Sequence, residues 1–470
     1  MLLDKLKNEK KSVFLLGINN ISIAISNYLI NNQIKVFICD IDEKIIEKYR
    51  TNFYDNQSIE IVKIDKYDFN NIDYLILCKN LLLDNDDLQL FITRLNNIKD
   101  KVFLCSNFIS MLFPNNKFIS IIGTSYNYIT TSILSCIFKD NNTNVVNLSS
   151  YSLNILNNDK INIEQENCIY FSTIENYEIE FLKQINFDIL AILNINYDLT
   201  NNKYEDYIKY IQNDIILKQK KDSTLILNVD NEFLKEAYEN IKDDNININC
   251  KILPMSTKKM LNNGFSYING TIYNYFNNNN ESYDFGDNEY LLGNINKSSV
   301  LCSSIILQDL GITSDLAIEL TKNYKGLNNY MEYLDQFENI KFISNVAADS
   351  DELLLTPFEI YNNIYPIFIV NDKQTDLTFL KNNIKNIDNI FIVDICGLFN
   401  IDEIDKLNIY KYNNLKDIFD LIIEKIDCEY KEKDITILLS PIIADKMNII
   451  YYSEYTEQLK ELIKGLKNEK

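Results

Sequence analysis

Residues 118–139 read FISIIGTSYNYITTSILSCIFK, and the reading of this stretch decides the fold. Residues 118–122 are an apolar, largely β-branched run, the composition of a strand buried on both faces. Gly123 follows and can take the backbone angle that a sharp turn needs. From Thr130 onward Ile133, Leu134, Ile137 and Phe138 have helical spacing. A strand that passes through Gly-Thr into a helix opening on Thr130 and Thr131 has the layout of a phosphate-binding loop. The residues that act in such a loop are absent. Where Gly-Lys-Thr would stand, the chain carries Tyr126, Asn127 and Tyr128, so no ammonium faces the β- and γ-phosphates. A strand–turn–helix without a ligand is the competing reading of the same residues.

Composition narrows the classes. At 470 residues the chain can form two or three domains, and 46% hydrophobic residues exclude disorder as the main state. Its apolar runs are too short to span a bilayer and residues 1–11 lack a charged-then-apolar leader, so a cytosolic, membrane-free protein is expected. The net charge of −21 opposes nucleic-acid binding. Nine cysteines are scattered without a C-x-x-C pair, and most fall in apolar segments, as buried reduced thiols do. Histidine is absent, which excludes imidazole-based zinc sites and leaves acid–base chemistry to Asp, Glu, Lys, Tyr or Cys. The abundance of Asn, Ile, Lys and Tyr looks like drift toward AT-rich codons.

The chain begins with a strand at residues 11–17, a helix at 21–30 and a strand at 35–39 ending at Asp40. This is the opening βαβ unit of a dinucleotide-type fold, its glycine fingerprint reduced to Gly17 with Asn19 and Asn20 in the turn. Asn tolerates left-handed backbone, so the turn can survive. Asp40 stands where an acid often bonds a ribose or base, or is simply a solvated turn aspartate. Further strands are expected at 60–64, 74–78 and 101–105, with a helix near 86–96.

After the central stretch, strands are expected at 145–148, 168–172, 189–194 and 223–228, and a helix at 204–218. The triplet NNG at 262–264 and the pair Asn269-Gly270 both signal hairpins. A helix over 298–310 ends at Gly311. Strands at 341–344, 367–370, 390–393 and 435–439 then alternate with helices, the last at 454–464, again α/β with a mostly parallel sheet. The fold class expected is α/β in three domains. They are a Rossmann-like N-terminal domain (1–115), a P-loop-type central domain (116–322) and a Rossmann-like C-terminal domain (323–470).

Several dispersed segments carry a resemblance: VFLLGINNISIAISNYL, FISIIGTSYNYITTS, DILAILNINYDLT, STLILNVDNE, LLGNINKSSVLCS, GLNNYMEYL and ILLSP. Together, in this order, they resemble the Mur ligases, and within them the D-glutamate-adding branch of peptidoglycan precursor synthesis. The resemblance implies a ligase that uses ATP and Mg2+ to activate the carboxylate of UDP-N-acetylmuramoyl-L-alanine. An amine then attacks the acyl phosphate. It implies nucleotide contacts at Gly123, Thr124, Ser125, Asn127, Thr130, Thr131 and Asn296, and substrate contacts at Gly17, Asp40, Asp198 and Ser440.

The chain departs from the family pattern at the chemically active positions. In the loop G-T-x-G-K-T-T only Gly123 and Thr124 match. The family's metal-binding glutamate falls on Tyr170, and its carbamylated lysine would lie near Asp214. Asp198 is kept but Leu199 replaces a histidine. In the motif after Gly293, Asn296 is kept while Ile295 and Ser299 replace His and Asn. Asn329 and Tyr330 replace a basic pair between Leu327 and Glu332. Ala347 replaces a lysine, and Asp445 stands where a hydroxyl would meet the incoming carboxylate. No catalytic residue and no metal ligand is assigned. Two readings follow: a degenerate, non-catalytic relative, which the losses favour, or a divergent active ligase.

Overall fold

The apolar runs become the central strands of three sheets. The structure is a computed structural model. It describes residues 2–40, 46–47, 59–62, 72–78, 98–123, 126–141, 143–148, 162–164, 166–174, 176–182, 187–195, 208–243, 248–286, 288–348, 351–370, 389–394, 408–429, 434–442 and 449–469. The expected helix near 86–96, with Thr124, Ser125, Asp198 and Asp445, lies outside them.

The first sheet comprises β1 (Val13–Leu16), β2 (Val36–Cys39), β3 (Ile59–Ile61), β4 (Tyr74–Leu77) and β5 (Val102–Leu104). Its order is β3-β2-β1-β4-β5, and every pairing is parallel. The turn after β1 therefore lies where the strand order reverses, the usual ligand position in such sheets. Cys105 belongs to the helix Cys105–Leu112 rather than to the strand expected at 101–105.

The second sheet contains β6 (Lys117–Ile122), β7 (Val145–Asn147), β8 (Ile169–Ile174), β9 (Ile189–Ile192), β10 (Thr224–Asn228), β11 (Lys251–Ser256), β12 (Phe265–Ile268), β13 (Thr271–Asn274) and β14 (Glu281–Asp284). The order is β14-β13-β12-β11-β10-β9-β6-β8-β7. Asn269 and Gly270, at φ +50° and +79°, close the β12–β13 hairpin as the sequence suggests. The NNG triplet does not make a hairpin. β11 and β12 pair parallel, Met255 with Phe265, so residues 257–264 return the chain to the same end of the sheet. Within the helix expected at 204–218, residues 211–216 are π-helical.

The third sheet is built from β15 (Glu332–Phe337), β16 (Ile340–Ser344), β17 (Ile364–Val370), β18 (Asn389–Asp394), β19 (Asn408–Tyr412) and β20 (Ile435–Pro441). Its order is β15-β16-β20-β17-β18-β19, with only β15 antiparallel. The helices Leu415–Glu429 and Ile449–Glu469 cover it, burying Ile418, Ile422, Leu459 and Ile463.

The chain forms two compact units. One is Met1–Gly286 with Ser298–Lys322, the other Asp287–Lys297 with Asn323–Lys470. Within the first unit one apolar cluster runs from Leu6 to Ile241 and joins both sheets. Tyr170 stacks on Phe118 at 4.5 Å and on Phe113 at 6.4 Å within this shared core.

Candidate functional site

Two strand–turn–helix corners occupy the places where α/β sheets bind ligands: β1 into the helix Asn20–Asn31, and β6 into the helix Tyr126–Asp140. At the central corner, Leu193 N donates to Ile122 O at 2.9 Å and Gly123 N to Ile174 O at 3.3 Å. The turn thus starts level with the ends of both neighbouring strands. Gly123 is not in a left-handed conformation. Its requirement is close approach: a Cβ there would stand 2.6 Å from Asn194 Oδ1. The glycine serves contact with the next strand, not the turn angle expected from sequence.

Asn127, which the sequence resemblance sets against the family's loop lysine, is fully buried. Its Nδ2 donates to Gly123 O, and its Oδ1 accepts from Tyr128 N at 2.8 Å. One side chain therefore caps the loop's carbonyl and takes up a helix N-terminal amide, a group that a bound anion would otherwise use. The helix begins at Tyr126, four residues before the expected start. Thr130 is fully buried, and the Thr131 hydroxyl, also buried, lies 3.0 Å from both Asn127 O and Tyr128 O as a donor.

The same sheet edge carries polar residues that sequence reasoning gave no role. Asn228 Nδ2 donates to Leu193 O at 2.9 Å, and Asn231 Nδ2 to Ile195 O at 3.0 Å. Asp230 Oδ2 accepts from Thr257 N at 2.6 Å, while its Oδ1 accepts from Ser256 Oγ at 2.5 Å. Their signal was available, since each follows directly on the apolar run of β10.

Tyr170 is at the wrong end of its strand for a metal ligand. It pairs with Phe118, whereas Ile174 is level with Gly123, and its hydroxyl donates to Ile163 O at 2.7 Å inside the core. Thr173, three residues or about 10 Å further along β8, is the residue near the turn. Its buried hydroxyl has no hydrogen-bond partner among the described residues. Asp214 pairs with Lys218 one turn on.

At the first corner Gly17 has φ +99° and its N–H donates to Cys39 O at 2.8 Å. Asp40 is 4% exposed, not a solvated turn residue, and its Oδ2 accepts from Ile18 N at 2.8 Å. Asn19 caps the helix in a reciprocal pair with Ser22. Burial, then contact with Cys105, pushes the neighbouring Cys78 thiol up, so it stays neutral rather than nucleophilic.

The other expected contacts belong to the second unit. Asn296 is 1% exposed, with Nδ2 donating to Leu292 O and Oδ1 unpartnered among the described residues. Ser440 is fully buried and its hydroxyl donates to Pro441 O at 3.1 Å. Among the described residues no three His, Cys, Asp or Glu side chains gather as a metal site, and no helix is long and apolar enough to cross a membrane.

No family model matches the chain. Its fold is that of the UDP-N-acetylmuramate-alanine ligase of Thermotoga maritima, at TM-score 0.57 and 14% identity over 96% of this chain and 99% of that one. Three proteins named UDP-N-acetylmuramoylalanine–D-glutamate ligase are similar in sequence. That of Wolbachia pipientis wMel is 22% identical across 94% of each chain. That of Rickettsia bellii is 22% identical over 81% of this chain and 82% of its own length. The match to the Rickettsia prowazekii protein, at 24% identity, spans about half of each, 53% and 54%. The chain thus has the fold of a Mur ligase and is similar in sequence, at 22–24% identity, to proteins named as D-glutamate-adding Mur ligases.

Proposed function

We propose that this chain is a Mur ligase relative that no longer carries out ATP-driven ligation. The observation that carries the reading is Asn127, buried and bonded at both ends of its amide to the loop that would hold the phosphates. The described loop does not fit magnesium triphosphate. It offers no cation, one helix amide is already occupied, and the Thr131 hydroxyl is buried in its own helix. A single electrostatic contact of this kind is worth about 3–4 kcal/mol in a transition state, so its loss alone depresses turnover by several hundredfold or more. The division into domains 1–115, 116–322 and 323–470 is part of the proposal. So is residual affinity for a UDP-N-acetylmuramoyl-L-alanine-like molecule near Gly17 and Asp40.

A divergent active ligase is the alternative. The polar residues Asn194, Asn228 and Asp230 beside the turn favour it. Phosphate release from ATP with UDP-N-acetylmuramoyl-L-alanine and D-glutamate separates the two. The proposal expects no release above background from the full chain, and steady turnover dependent on all three substrates would overturn it.

A further inference from the structure

The two helices that cover the third sheet leave a groove between them on the side facing away from it. The groove has a volume of about 520 Å³. Phe419 and Ile423 from Leu415–Glu429, with Leu462 and Leu466 from Ile449–Glu469, form its floor and continue the core below. Asp420, Glu424 and Glu461 are exposed on its rim. None of these three carboxylates has an ion-pair partner among the described residues. Two cations of the second helix are engaged elsewhere: Lys460 pairs with Glu332 at 3.1 Å and Glu457 at 2.8 Å, Lys467 with Asp335 at 2.7 Å. Lys416 also lines the groove, and with Asp427 added to the three carboxylates the lining stays acidic on balance.

Gly465 is a second, independent feature. It sits inside a 21-residue helix, where glycine is less favourable than alanine by about 1 kcal/mol. Nothing in the fold requires it. Its φ is not left-handed and a Cβ built there meets no atom within 4 Å. What the missing side chain provides is depth in the groove, which Gly465 lines.

We propose that this groove receives an amphipathic helix from a partner protein, with apolar residues on one face and Lys or Arg flanking them. An apolar floor takes the anchors of such a helix, and the unpaired carboxylate rim complements its cations. The absence of a side chain at 465 lets the helix approach closely. This is an interaction site separate from the two corners, and it stands whether or not ligation has been lost.

The test uses the full chain and a fluorescein-labelled helical leucine–lysine peptide, read by fluorescence polarisation. Binding is expected for this peptide and not for its leucine–glutamate counterpart. Gly465→Leu leaves the charge unchanged and favours helix, and should weaken binding by about tenfold or more by filling the groove. Asp420→Lys with Glu424→Lys should also abolish binding while circular dichroism and the melting temperature stay near wild type. Equal affinity of wild type and Gly465→Leu would overturn the proposal, because binding would then be non-specific attraction to an acidic chain. Sedimentation showing that the chain self-associates and that Gly465→Leu makes it monomeric would also overturn it, in favour of a second copy as occupant.

Discussion

The two corners of the first unit look alike in sequence and are held by different physics. At the first, Gly17 is needed for its φ of +99°, and a carboxylate from the next strand, Asp40, fixes the turn by accepting from Ile18 N. At the second, Gly123 is needed for space against Asn194, and the turn is fixed from within by Asn127. The first corner is therefore fixed from outside the turn, by a carboxylate following the next strand. The second is closed by the amide of its own Asn127, which bonds a loop carbonyl and a helix N-terminal amide. A loop without a cation need not be disordered; its carbonyl and amide need partners, and a short amide side chain supplies both.

The largest expected effect comes from treating Tyr170 as a lost metal ligand. Tyr170→Glu would place a carboxyl between Phe113 and Phe118 in the core shared by both corners. It should cost on the order of 3–5 kcal/mol, seen as a lower urea midpoint, and should confer no Mg2+ response. An undiminished midpoint would mean that the core there is open.

Next in size is Asp40→Ala, which leaves Ile18 N–H buried without its charged acceptor. It should destabilise the unit by about 1.5–3 kcal/mol. Asn127→Ala orphans Gly123 O and Tyr128 N and should cost about 1–3 kcal/mol. The difference between the corners is sharpened by exchange: Asn127→Asp retains the acceptor for Tyr128 N but turns a buried carboxylate oxygen on Gly123 O, so it should cost at least as much as Ala. Hydrogen exchange at Tyr128 N–H reports this directly, with slow exchange in wild type and faster exchange in Asn127→Ala.

The glycines give the smallest effects and separate the mechanisms. Gly17→Ala forces a left-handed Ala and should cost about 1–2 kcal/mol. Gly123→Ala meets only the end of the Asn194 side chain, which can rotate at a cost of about 0.5–1.5 kcal/mol. Thermal melts that rank the two in the opposite order would break the comparison.

Much of this architecture is legible in the sequence because strands buried on both faces are written as continuous apolar runs. β1, β4, β6, β10 and β20 are of that kind. β15, EYLDQF, and β19, NIYKY, escaped because half-exposed edge strands mix polar and apolar residues. NNG misled because glycine and asparagine mark any turn, not only a hairpin. At the site, the departures from the resembled motifs are legible in the sequence but not what the residues present do. That Asn127 folds inward depends on the position of Gly123 O, and that Tyr170 lies at the far end of β8 depends on the register with β6. The groove over the third sheet needs two helices distant in the chain, which no local pattern reveals.

The central claim is that Asn127 has closed the loop to magnesium triphosphate. Titration calorimetry of Mg-ATP into the full chain tests it most directly. No heat of binding is expected at micromolar ligand. A saturable micromolar affinity, abolished by Gly123→Val, would contradict it and restore the active ligase.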